Sequence, residues 1–315
     1  MNRREFILSS TAAAALAPQL WSEAPRSRGP IPAIDTHTHF YDPTRPGGVP
    51  WPPPDNRLLY RPVYPQEFHE LVSPYNVVGT VVVEASDRVE DNAWILDLAK
   101  TDPGIVGLIG NLRVGHPDFA ANLQRFSTNP LFLGLRLRGL TPAELTAQAT
   151  LADVKHLVDR DQTIDIHGGV KILEPVDVIA RRFPSLRIVI NHLPFTDWDG
   201  DPGAMRTAMA KVAAHPNIFI KVSEVVRRRD GQVVTDPDFY RPGLDTLLDQ
   251  FGPDRLVFGS NWPVSDQNAP YENVHGIVAE YFGTKSREIA EKYFWRNSHT
   301  AYRWQPRGAA ADLLA

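Results

Sequence analysis

His37 and His39 stand two residues apart in the run Ala33-Ile34-Asp35-Thr36-His37-Thr38-His39-Phe40. The run reads as a short buried strand. Alternate side chains on a strand share a face, so Asp35, His37 and His39 are expected on one side. Two imidazoles at a strand's end can bind one metal ion, or can form a hydrogen-bonding pair against a substrate carbonyl. By itself His-x-His more often just caps a strand, so the rest of the chain decides. Of the ten histidines, four close predicted strands: His37 and His39 the first, His167 the fifth and His192 the sixth. Neutral imidazoles buried together with no ligand would leave donors and acceptors unsatisfied, and their convergence therefore points to a functional site. The other six, at 69, 116, 156, 215, 275 and 299, fall in predicted helices or turns.

Other strand ends add charge and amides. Glu84 ends the apolar run Val81-Val82-Val83, Arg136 and Arg138 end the fourth strand, Lys221 and Ser223 the seventh, and Asn261 follows the eighth. Arg136 and Lys221 would bring fixed positive charge to the mouth, suited to an anionic or oxyanionic group, or else paired with Glu84 or Asp35.

These residues need a scaffold that gathers strand ends. Strands are predicted over 33–37, 77–85, 105–111, 132–138, 163–167, 187–192, 218–223 and 256–260, mostly as continuous apolar runs of the kind covered on both faces. Helical patterns separate them. Thr141-Pro142-Ala143-Glu144 has the form of a capping box with proline at the first helical position, and helices over 174–183 and 206–214 are stopped by Pro184 and Pro216. Eight strand–helix units over this length predict a single-domain (β/α)8 TIM barrel across 31–304, with a C-terminal tail at 305–315. No Gly-x-Gly-x-x-Gly turn follows any strand, which speaks against a doubly wound dinucleotide fold. The stretch 42–65 breaks the rhythm with proline at 43, 46, 50, 52, 53, 54, 62 and 65, and Trp51 and Tyr60 lie within it. A loop this long, stiffened by proline, is read as a semi-rigid lid, with Trp51 and Tyr41 offered to a substrate. Trp262, beside Asn261, either faces a flat substrate ring or packs the end of the eighth strand.

Composition narrows the rest. A 315-residue chain that is 43% hydrophobic and 22% charged can bury a full core. A net charge of -4 without a basic patch gives no support for nucleic-acid binding. The absence of cysteine excludes disulfides, thiolate ligands and a cysteine nucleophile. At the amino terminus, Arg3-Arg4 precedes a weakly apolar run and Ala15-Leu16-Ala17. This looks like a twin-arginine export signal over 1–17, followed by a linker over 18–30. The expectation is a periplasmic or secreted protein that engages the twin-arginine machinery and keeps no membrane anchor, because the run is too short to span.

The ordered set of motifs is more specific than any one of them. Ile34-Asp35-Thr36-His37-Thr38-His39, Leu135-Arg136, Asn191-His192-Leu193-Pro194, Lys221-Val222-Ser223 and Phe258-Gly259-Ser260-Asn261-Trp262-Pro263-Val264 resemble the amidohydrolase superfamily, within it the amidohydrolase-related branch that includes sugar-acid and 2-pyrone-4,6-dicarboxylate lactonases. The resemblance runs from about 32 to 302. It implies a barrel hydrolase of a small polar lactone or ester and a divalent metal, with zinc expected from the nitrogen ligands. His37, His39 and His167 match metal-ligand positions, and metal-activated water would attack the carbonyl. His192 matches the histidine that polarises that carbonyl, while Arg136 and Lys221 would grip polar groups of the substrate.

The chain departs from the pattern at Asn261, where an aspartate commonly serves as general base. An amide can orient water or donate to an oxyanion, but it cannot take a proton. Glu84 could replace the base, complete the metal site, or anchor an arginine; Asp266 is a second candidate from the loop. A decarboxylase on the same scaffold, or a barrel that binds without catalysis, are the alternative functions.

Overall fold

The computed structural model describes residues 29–194 and 202–315. The export signal expected over 1–17, and the linker up to residue 28, lie outside the described residues. Residues 31–315 form one compact unit. The strands of its main sheet are β1 (Ala33–Thr38), β2 (Val77–Val83), β3 (Ile105–Gly110), β4 (Phe132–Leu137), β5 (Thr163–Ile166), β6 (Arg187–Ile190), β7 (Ile218–Val222) and β8 (Leu256–Phe258). They lie side by side in chain order and every pairing between them is parallel. β8 returns to β1 through Thr36 Oγ1, which donates to Phe258 O at 2.5 Å, and through Asn261 N donating to His37 O at 2.8 Å. The result is a (β/α)8 barrel.

Valine and isoleucine dominate the strands because each strand is covered twice. Ile34, Val81, Val83, Val106, Ile109, Val189 and Val257 fill the barrel's interior. Their alternates, among them Val82, Leu108, Leu135, Ile164 and Ile220, meet the helices. The capping box forms as expected: Glu144 N donates to Thr141 Oγ1, Thr141 N donates to Glu144 Oε2, and Pro142 opens the turn. Helices α1 (Pro65–Val72) and α2 (Glu90–Thr101) cover the first strands.

Two stretches differ from expectation, and the ties that hold a third are visible only in the structure. Between Asp35 and Thr38, β1 advances three residues while β2 advances only two, from Thr80 to Val82. This irregularity breaks the alternation that would have put Asp35 beside the two histidines. Asp35 turns toward the helical layer, where Tyr271 OH donates to its Oδ2 at 3.1 Å, while His37 and His39 stay at the mouth. Residues 305–315 do not trail away. Trp304 and Ala310 are buried under the barrel with Ile34 and Val106, Gln305 N donates to Val106 O, and Arg307 reaches Ile105 O and Ala99 O. The segment 42–65 folds back on itself. Tyr41 and Val63 exchange backbone hydrogen bonds of 3.1 and 2.8 Å, and Asp42 accepts from Thr44 and from Tyr64 OH. Arg45 ties the segment to Asp91 and lies over the Trp94 ring.

Candidate active site

The strands' carboxyl ends meet in a cavity of about 360 Å³ lined by His39, Trp51, Glu84, Arg136, Arg138, His167, His192, Glu224 and Asn261, among others. Each of these but Trp51 sits at or just past a strand end, and Trp51 reaches in from the proline-rich segment to lie 5.9 Å from the His39 ring.

His39 is held on both sides of its ring: Nδ1 lies 3.0 Å from Val83 O, and Nε2 lies 3.1 Å from His37 Nε2 and 3.2 Å from Asn261 Oδ1. Burial, more than any neighbour, keeps both rings neutral, pushing His39 down to about 3 and His37 well below the usual histidine range. Two neutral imidazoles with facing Nε2 atoms fit one side of a divalent cation's shell. The fit goes no further, because no group of three histidine, aspartate or glutamate side chains converges on one point among the described residues. His167 packs edge-on against His192, with 5.2 Å between ring centroids.

His192 stacks on His37 with 4.4 Å between centroids. Its Nδ1 is 2.5 Å from Ser223 Oγ. The serine hydroxyl can donate to Nδ1, and that arrangement puts the ring's hydrogen on Nε2, the side of the Glu224 carboxylate. Nε2 faces Glu224 Oε1 at 3.7 Å. Burial, and next to it the Arg136 charge, hold His192 neutral. The backbone sets up this arrangement by an unusual means. His192, Glu224 and Asn261 follow β6, β7 and β8, and all three have left-handed backbones, with φ of 67°, 54° and 65°. Non-glycine residues seldom adopt this conformation, and where they do it often marks a functional site.

Glu84 is buried to 3% side-chain exposure, and Arg138 Nε donates to its Oε1 at 2.6 Å. Arg136 Nη1 lies 3.7 Å from the same oxygen. Burial pushes the Glu84 carboxyl up and the Arg136 guanidinium down, and each partly offsets the other's shift. Of the open readings of Glu84, the anchor for rim arginines is the one whose contacts are present.

Three residues expected at the substrate lie elsewhere. Lys221 is fully buried below the mouth, where its Nζ donates to Asp165 Oδ2 at 2.7 Å and to Thr36 O at 2.8 Å. Asn191 Nδ2 and Tyr302 OH also donate to Asp165. A strand-end lysine turned inward finds its counter-ion across the barrel, and that partner is neither Glu84 nor Asp35. Tyr41 is buried and its hydroxyl donates to Leu59 O. Trp262 packs in the core against Phe40 and Phe68. Glu224, conversely, had no apolar run ending on it to draw attention; only its place one residue after Ser223 could have signalled it.

A family model described as Amidohydrolase matches residues 34–304. The chain belongs to the amidohydrolase family. An L-fucono-1,5-lactonase of Burkholderia ambifaria is 31% identical over 240 residues, covering 74% of this chain and 80% of that protein. An L-fucono-1,5-lactonase of Burkholderia multivorans is 26% identical over 275 residues, covering 83% and 92%. Among solved structures, an amidohydrolase from Burkholderia multivorans with bound Zn shares the fold, with a TM-score of 0.78 at 24% identity, covering 87% of this chain and 99% of that one. This amidohydrolase thus has the barrel, the paired first-strand histidines and the sixth-strand histidine that its motifs imply, with an amide after β8.

Proposed function

We propose that this amidohydrolase opens a small polar lactone of the sugar-acid type to its hydroxy acid. The observation that carries the reading is His192. Held by Ser223 at Nδ1 and with Glu224 beside Nε2, it lines a cavity that Arg136 and Arg138 also line. A neutral N–H donor suits a carbonyl oxygen that gains negative charge as the carbon becomes tetrahedral. Arg136 and Arg138, oriented by Glu84, would hold ring hydroxyls or a carboxylate, and the Trp51 face would cover the ring. The curated lactonase relatives support this substrate class.

A divalent ion would be held by His37 and His39, with His167 the candidate third ligand, and would supply Lewis-acid polarisation when bound. Purified protein is then expected to carry about one equivalent of zinc by elemental analysis. Less than a tenth of that, with no gain on adding zinc or manganese, would remove the metal from the reading.

The function is tested with L-fucono-1,5-lactone and related aldonolactones in 18O-labelled water. The expected result is saturable ring opening with one labelled oxygen in each carboxylate product. Loss of carbon dioxide from a candidate acid, with no lactone opened, would make the protein a lyase. His192→Ala is expected to lower turnover by at least about a hundredfold.

A further inference from the structure

Opening a lactone with water requires something to take the water's proton, and Asn261 cannot. Two carboxylates line the cavity, Glu84 and Glu224. Glu84 already binds Arg138 at 2.6 Å and is almost sealed from solvent. Asp266 does not line the cavity; the charges that act on it are those of Arg61 and Glu67, in and beside the proline-rich segment. Asp35 and Asp165 lie buried beneath, bonded to Tyr271 and Lys221 respectively.

Glu224 differs from all of these. Its side chain is 37% exposed, so water reaches it. Asn261 Nδ2 donates to its Oε1 at 3.0 Å, and His192 Nε2 is 3.7 Å from the same oxygen. The amide that replaced an acid after β8 therefore holds an acid supplied after β7. One carboxylate oxygen is positioned beside the group that would face the carbonyl, which is where an attacking water must be oriented.

We propose that Glu224 is the general base, with Asn261 as its positioning residue. The proposal takes its substrate from the lactone reading, whereas the water activation it assigns does not depend on which ester is opened. Glu224 takes one proton from a water molecule while the water oxygen bonds to the carbonyl carbon. The carbonyl's π electrons move onto its oxygen, toward the His192 Nε2–H. When the C=O re-forms, the bond from that carbon to the ring oxygen breaks. The proton on Glu224 passes to the departing ring oxygen, giving the free hydroxyl and the acid, which ionises in solvent.

Three variants, Glu224→Gln, Glu224→Ala and Asp266→Asn, test this on the wild type's best lactone and on p-nitrophenyl acetate, an activated ester that reports water activation whatever the natural substrate. Glu224→Gln keeps size and shape and is expected to lose about 10² to 10⁴ in kcat, the range for removing a general base, with KM little changed. Glu224→Ala should lose as much and regain at least about tenfold in sodium formate, because a small carboxylate can occupy the gap and accept the proton. A merely structural glutamate would give no formate rescue. Asp266→Asn should stay within about twofold of wild type. Glu224→Gln activity within about tenfold of wild type, or a Glu224→Ala protein indifferent to formate, overturns the assignment. If the wild type cleaves the activated ester but no lactone, the substrate reading fails while the variants still decide the base. A wild type no faster than buffer on both overturns both.

Discussion

Lys221 is fully buried inside the barrel, with Asp165 as its counter-ion. Burial lowers its pKa, and Asp165 works against that shift. Removing one member of such a buried pair strands the other, so Lys221→Met is expected to cost about 3–5 kcal/mol in urea unfolding, an effect on stability before any on KM. A variant of unchanged stability and raised KM would return Lys221 to the substrate. Glu84→Gln addresses the neighbouring question. If Glu84 orients Arg136 and Arg138, the variant should lose about 1–3 kcal/mol through the weakened arginine contacts and raise KM more than it lowers kcat. A collapse of kcat alone would make Glu84 the base. The histidines, Arg136 and Glu84 were legible because each ends an apolar run, a pattern that survives any detail of packing. The direction in which Lys221 and Trp262 point was not, because it depends on partners that lie across the barrel.

At the scale of elements, the strands could be read to within a few residues because double burial enforces continuous apolar runs. The slip in β1 could not: it leaves no mark in residue type, yet it separates Asp35 from His37. Nor did the tail announce itself, since Trp304 and Ala310 are simply two apolar residues until the barrel's lower end exists for them to fill. A chain ending at Arg303 is expected to lose at least about 3 kcal/mol, the low end for deleting a buried tryptophan, read as a fall in the urea midpoint. Helix α3 (Tyr271–Gly283) offers a pH test away from the cavity. His275 sits among Tyr75, Phe258, Tyr271 and Phe294, and burial pushes it down to about 4 from an ordinary 6.5. Between those values the unfolded chain binds a proton that the folded one does not. Its contribution is therefore intact above about pH 6.5, and is lost as the pH falls toward 4. Thermal melts of His275→Phe should show a smaller drop in Tm from pH 7 to pH 5 than the wild type; an equal drop would place the acid sensitivity elsewhere.

For the whole molecule, the export signal remains a proposal that can be tested directly. Changing Arg3 and Arg4 together to lysine should leave uncleaved precursor inside the cell on fractionation, and export unaffected by the change would discard it. The Lys221 network bears on when such a molecule is ready to travel. Its members are Thr36 on β1, Asp165 on β5, Asn191 after β6, Lys221 on β7 and Tyr302 near the end of the chain. A ribosome releases the first strand long before the last helix. Until Tyr302 emerges, the network under the histidines is incomplete and the barrel's lower end is open, since Trp304 and Ala310 follow still later. A nascent chain that has not yet reached Tyr302 therefore cannot complete the network beneath the histidines, whichever of its strands have already paired.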